Sequence, residues 1–155
     1  MKIQRVYVDT SVIGGCFDAE FARWSDGLMQ DFRLGNFKPV VSELVAAEVE
    51  GAPDQVQDVY AELIALGSEV IAFTEPALEL ADAYQEHHIL TPRFYDDGLH
   101  IALATVAEVD VLVSWNFKHI VRYHKIRLFN AVNLEHGYKF IHIYSPREVT
   151  IYEED

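Results

Sequence analysis

The sequence predicts an α/β fold: one domain over residues 1–155, with an open, mainly parallel five-stranded sheet flanked by helices. Three observations lead there. Short β-rich runs alternate with helical stretches along the whole chain. The run Val111–Ser114 is apolar without alternation, as in a strand covered on both faces. Five strands in 155 residues are too few for the eight βα units, roughly 250 residues, of a closed (β/α)8 barrel.

Each element has its own local reason. Arg5 to Asp9 is a short apolar strand, and Thr10-Ser11 supplies hydroxyls to cap a helix whose body runs from about Ala19 to Leu34. Lys38 to Ser42 is a second β-rich run, followed by helical sequence through Glu50 that stops at Gly51-Ala52-Pro53. Asp54 to Leu66 is helical and Gly67 ends it. The segment SEVIAFTEP holds a third strand, ahead of a helix from about Pro76 to His88. Tyr95 to Glu108 is a helix too apolar to lie wholly on the surface; Val111–Ser114 is the fourth strand and FIHIY the fifth. No repeat, low-complexity tract or linker divides the chain.

Composition narrows the function classes. Twelve Lys and Arg against 25 Asp and Glu leave a net charge of −13, which excludes a generally basic nucleic-acid coat. With 50% hydrophobic residues the chain can bury a core, so disorder is not expected. The single cysteine, Cys16, allows neither an intrachain disulfide nor a Cys-based zinc site, and a reducing, cytoplasmic setting fits it. No apolar run approaches the roughly 18 residues of a membrane span, so no membrane association is expected.

Open α/β sheets bind ligands beyond the carboxyl ends of their strands, where strand order reverses. Here that point lies between strand one, which leads into Asp9-Thr10-Ser11, and strand four, which leads into Ser114-Trp115-Asn116. Spacing places Glu48 on the apolar stripe of its helix while Glu43 and Glu50 turn outward. Asp96 and Asp97 open the next acidic helix start, with His100 one turn later; a histidine beside an apolar face is most simply a core residue bonded to a backbone carbonyl. Converging carboxylates repel one another unless cations join them, and hard oxygen donors select Mg²⁺ or Mn²⁺. Such an ion suits hydrolysis of a phosphodiester. Taken singly, Asp9 also reads as a turn or cap, Asp96-Asp97 as macrodipole acids and Asn116 as a loop residue.

The segments YVDTSVIGG, VVSELVAAEVEG, YDDGLHIALA and VLVSWNFKHI, with the tail FIHIYSPREV, resemble in order those of a PIN domain, the nuclease fold of VapC-type toxins. The resemblance covers essentially the whole chain. It implies Asp9, Glu48 and Asp97 as metal-binding acids, with Asp96 a neighbour, and Thr10 or Ser11 as the hydroxyl that supports the first acid. Ser114 falls at the same site, and the fourth corner, often Asp in the family, is Asn116 here. It further implies a Mg²⁺- or Mn²⁺-dependent ribonuclease, an RNA substrate, a cognate antitoxin and a homodimer.

Charge patterning bears on the RNA. From Val111 to Leu134 there is no Asp or Glu, while Lys118, His119, Arg122, His124, Lys125 and Arg127 stand beside Trp115, Phe117 and Tyr123. Cations interleaved with aromatics suit phosphates and unpaired bases; the plainer reading is a solvated helix face whose aromatics turn into the core. Lys118, His119, Arg122 and Lys125 are the candidate RNA contacts. A PIN-fold module that binds RNA or protein without cutting is the alternative, consistent with Asn116 in place of an acid. A phosphatase with an aspartyl nucleophile at Asp9 would want an acid at position 11, where Ser11 stands, and a receiver domain would want further acids beside strand one.

Overall fold

The computed structural model describes residues 2–153. Five strands form one sheet in the order β3-β2-β1-β4-β5, with every neighbouring pair parallel: β1 (Arg5–Val8), β2 (Lys38–Ser42), β3 (Glu69–Ile71), β4 (Val111–Val113) and β5 (Ile143–Tyr144). The mainly parallel sheet expected from the sequence is wholly parallel. Val6, Tyr7 and Val8 of the central strand lie opposite Val111, Leu112 and Val113, and all six side chains are buried. Each such aliphatic side chain contributes about 1.5–3 kcal/mol on leaving water. Strand order reverses between β1 and β4, as anticipated.

The helices are α1 (Thr10–Gly15), α2 (Ala22–Arg33), α3 (Glu43–Glu50), α4 (Asp54–Ala65), α5 (Glu75–Glu86), α6 (Tyr95–Val106), α7 (Tyr123–Glu135) and α8 (Pro146–Val149), with one 3-10 turn at Pro92–Phe94. Their starts follow local chemistry. Ser42 caps α3 by accepting from the Val45 N–H at 3.2 Å, Thr74 caps α5, and Ser145 with Glu148 forms a capping box on α8.

Two expectations are corrected. Thr10-Ser11 does not cap a helix beginning near Ala19: helical structure starts at Thr10 itself, with Asp9 as its N-cap accepting from the Val12 N–H at 3.2 Å. The longer α2 begins only at Ala22, without a side-chain cap. The helix α7 entered the sequence reading only as the plainer view of the basic segment, a solvated helix face, with no bounds given. Its inward face is partly polar: buried Asn130 bonds both the N–H and the C=O of Ile141, and buried Asn133 bonds Tyr84 and Thr105. An amphipathic pattern built on apolar residues alone does not register such a face.

Arg5, at the start of the central strand, holds the opposite end of the sheet from the functional residues, pairing with Glu69 and donating to the carbonyls of Ala107 and Glu108 at 3.0 and 3.1 Å. The carboxyl ends of β1 and β4 are thereby left to the chemistry-bearing side chains.

Candidate active site

Asp9 sits one residue past β1, nearly excluded from solvent, and β4 holds it from the other side. Ser11 Oγ donates to Asp9 Oδ1 and Ser114 Oγ to Asp9 Oδ2, each at 2.6 Å. The two hydroxyls are themselves fixed: Ser11 Oγ accepts from the Trp115 N–H and Ser114 Oγ from the Asn116 N–H, each at 2.9 Å. Burial pushes the Asp9 carboxyl above the usual range, against the opposing pull of His100 and these hydrogen bonds. Ser11 therefore supports the first acid, whereas Thr10 turns to another, donating to Glu48 Oε1 at 2.8 Å.

Glu48 projects from α3 with about a third of its side chain exposed, so the inward-facing reading holds only for its carboxylate. His100 Nε2 lies 2.7 Å from Glu48 Oε1, and His100 Nδ1 lies 2.8 Å from the Tyr7 hydroxyl, which is 2.8 Å from Ser42 Oγ. The expectation of a histidine satisfied by a backbone carbonyl is thus replaced by a side-chain network running from the cap of α3, through the central strand, to Glu48. Burial alone would lower the His100 pKa; the Glu48 hydrogen bond and the charges of Asp9, Glu48 and Asp97 outweigh it, and the net shift is upward. Glu48 moves the other way: burial raises it, but the His100 hydrogen bond and charge, with Thr10, bring it below the ordinary value.

Asp97 lies in the first turn of α6, half-buried, with Asp96 beside it and exposed. Burial raises its pKa, the charge of Asp9 adds to that rise, and His119, His100 and the hydrogen-bonding amide of Asn116 oppose it. Asn116 is more than a loop residue. Its Oδ1 accepts from the N–H groups of Lys118 and His119 at 3.2 and 2.9 Å, so the amide oxygen is committed to the turn after β4, while the amide as a whole lies near enough to Asp97 to favour its ionised form.

Three carboxylates are therefore brought to one end of the sheet, and among the described residues no Lys or Arg forms an ion pair with any of them. The donor chemistry of Asp9 and Asp97, two oxygen ligands whose charges destabilise each other, fits a hard divalent cation. Glu48 is engaged by Thr10 and His100, and among the described residues no three His, Cys, Asp or Glu side chains stand together as a ready-made metal cage. The arrangement suits an ion held chiefly by Asp9 and Asp97, with Glu48 poised at its margin.

His100 and Tyr7 were missed as site residues. The available signal was the spacing of His100, three residues beyond Asp97 and so on the same helical face. The basic segment divides: Lys118, His119, Arg122 and Lys125 line one pocket, whereas Trp115 is core, stacked on Phe21 with ring centroids 4.1 Å apart. Phe117 and Tyr123 are exposed, so only one of the three aromatics turns fully inward.

No protein-family profile and no curated protein matches the chain. Among solved structures it is similar to a toxin–antitoxin complex from Klebsiella pneumoniae, with a TM-score of 0.55 and 16% identity over 74% of this chain and 88% of that one. It is likewise similar to VapBC2 from Rickettsia felis bound to a DNA fragment from their promoter, with a TM-score of 0.55 and 14% identity over 91% of this chain and 98% of that one. The chain has a PIN-like fold. Among the described residues no helix is long and apolar enough to cross a membrane.

Proposed function

We propose that this protein is a divalent-metal-dependent endoribonuclease of the PIN type, the toxin of a VapBC-type pair. The observation that carries the proposal is the approach of Asp9 and Asp97 at the switch point between β1 and β4, each raised in pKa and neither paired with a Lys or Arg among the described residues. When bound, Mg²⁺ or Mn²⁺ would supply Lewis acidity to the attacking water and to the phosphodiester oxygens. The chain's own residues do the rest. Ser11 and Ser114 fix the orientation of Asp9 and favour its ionised form, and the Asn116 amide does the same for Asp97. Thr10 and His100 hold Glu48 beside them. Lys118, Arg122 and Lys125 offer positive charge to the RNA backbone next to the acids, and the His119 ring among them, kept toward its neutral form by burial and these cations, offers a hydrogen-bonding and stacking surface.

The test is incubation of a mixed pool of structured and single-stranded RNA with the purified protein in Mn²⁺, in Mg²⁺ and in EDTA, beside Asp9→Asn and Asp97→Asn. Cleavage is expected only with metal and only in the unsubstituted protein. Asp9→Asn keeps the α1 cap, because Asn caps as well as Asp, so lost activity reports lost charge. Equal cleavage by Asp9→Asn would sink the reading.

An antitoxin partner, supported by the likeness to toxin–antitoxin structures, belongs to the same proposal, as do a homodimer and a cytoplasmic setting. Co-purification with the product of a neighbouring small gene and light scattering of the isolated chain test them. The second reading, a module that binds without cutting, is favoured by one observation: the Asn116 oxygen is committed to a turn, so the fourth corner presents no acid. Metal affinity without cleavage of any RNA would select it.

A further inference from the structure

On a chain of net charge −13, cations gathered without carboxylates among them repel one another, and an anion in their midst relieves that repulsion. One cavity collects them. It has a volume of about 600 Å³, between the α5–α6 connection and the approach to α7, and its cations are Lys118, Arg122 and Lys125, with the rings of Phe94 and His119 beside them and no Asp or Glu in the lining. Lys118 and Arg122 enter no ion pair among the described residues. Lys125 donates to the Ile89 carbonyl and so closes one wall.

The same cavity carries an aromatic surface. Phe94 and His119 pack with ring centroids 4.0 Å apart and planes tilted by 34°, and Lys118 Nζ lies 5.8 Å from the Phe94 centroid. Both residues adjoin the acids: the backbone N–H of His119 donates to Asn116 Oδ1 and its charge acts on Asp97, and Phe94 immediately precedes α6, which carries Asp97 in its first turn. An acidic peptide would use the cations and leave the ring surface idle, whereas a nucleotide uses both, its phosphate among the cations and its base on a ring face. A base within a duplex is already stacked on its neighbours and has no face to give.

We propose that this cavity is a subsite for one unpaired nucleotide of the RNA, its phosphate between Lys118 and Arg122 and its base on the outer face of His119. The inference rests on the ribonuclease reading of the adjoining acids and names the form of RNA they meet.

Binding is measured by fluorescence anisotropy in EDTA, so that nothing is cut, with a labelled single-stranded RNA of mixed sequence, the same RNA as a duplex, and a glutamate-rich peptide. The single strand is expected to bind at least tenfold tighter than either competitor. Lys118→Glu with Arg122→Asp should weaken it at least tenfold and shallow the log–log salt slope by about 0.7, the value for one phosphate contact on a single strand. Arg122 is the N-cap residue of α7 and makes no side-chain cap, so Asp there should raise the thermal midpoint, and the lost binding cannot be assigned to unfolding. The charge-matched control is Lys2→Glu with Lys139→Glu, two exposed cations away from the cavity, which should bind nearly as well as the parent. His119→Ala should lose at least fivefold and His119→Tyr should recover it.

Equal losses in the control, duplex bound as tightly as single strand, or peptide bound as tightly as RNA would each overturn the subsite. Because no metal is present, a chain that binds in this way but never cleaves overturns the nuclease reading alone.

Discussion

His100 is a buried base set among three carboxylates, and its charge acts on Asp9, Glu48 and Asp97 together. Its pKa lies above the ordinary 6.5 and that of Glu48 below 4.5. The raised base contributes stability in full below about pH 6.5 and loses it as pH rises through the folded value; the lowered acid contributes above about pH 4.5 and loses it as pH falls through its own folded value. The pair is therefore strongest between about pH 4.5 and 6.5. Asp9 and Asp97, raised above 3.8, cost stability as pH climbs from that value through their own folded values. Without divalent ions the thermal midpoint should fall between pH 6 and 8. His100→Gln should cost about 1–3 kcal/mol near pH 6 and flatten that fall, as expected for losing a charge-assisted hydrogen bond. A scan of thermal midpoint against pH on both proteins checks this, and an unchanged slope in His100→Gln would assign the fall to the carboxyls alone. At the neighbouring corner, Asn116→Asp keeps one oxygen for the N–H groups of Lys118 and His119 and turns the other toward Asp97. Calorimetric titration with Mn²⁺ should show several-fold tighter binding, together with lower stability in the absence of metal. Unchanged affinity would place the new oxygen outside the ion's reach.

The elements differ in how far local sequence reveals them. The sheet was legible because β1, β2 and β4 are short apolar runs with polar residues at their carboxyl ends, and that alone located Asp9, Ser114 and Asn116 at one switch point. Asp9, Ser11 and Ser114 do meet there, and Asp97 reaches them from α6. The bounds of helix α7 were not legible, because Asn130 and Asn133 face inward to serve the chain around Ile141 and the hydroxyls of Tyr84 and Thr105. The Tyr7–His100–Glu48 network was hidden for a related reason: its members lie on β1, α6 and α3, and only the folded sheet joins them. The early start of α1 has a packing consequence. Its Gly15 admits no side chain, since an added Cβ would stand 2.5 Å from Ser25 Oγ and 2.6 Å from Trp115 Nε1. Trp115 Nε1 donates to Ser25 Oγ, which donates to the Val12 carbonyl, each at 2.8 Å. Gly15→Ala should therefore destabilise the protein by about 1–3 kcal/mol, the range for an overpacked core. Because Trp115 and Asn116 follow Ser114 directly, the substitution should also weaken ion binding and shift the tryptophan emission. Denaturant unfolding followed by fluorescence reads both stability and emission, and an Ala variant of unchanged stability would show that α1 moves aside freely.

Across the whole molecule the charges are unevenly arranged. The chain carries −13, yet the residues after β4 form a basic wall, and the acids that face it are the ones for which burial and mutual repulsion make ionisation expensive. A fold that draws Asp9 and Asp97 together without a Lys or Arg partner stores repulsion that a divalent cation releases, so metal binding and folding should be linked. A ligand that binds only the folded chain at one hundred times its dissociation constant stabilises it by about 2.7 kcal/mol. For a domain of this size that corresponds to a rise of about 5–10 °C in thermal midpoint. Saturating Mn²⁺ or Mg²⁺ should produce that rise at pH 8. The rise should shrink toward pH 5, where protons compete with the ion for two carboxyls of raised pKa. Asp9→Asn should show almost no metal response at either pH while starting from an equal or higher midpoint in EDTA, since the substitution removes the buried charge and keeps the cap on α1. Scanning calorimetry of both proteins, with and without metal at the two pH values, makes the comparison. A parent protein whose midpoint ignores divalent ions, or an Asp9→Asn variant that responds as the parent does, would show that Asp9 and Asp97 do not share an ion.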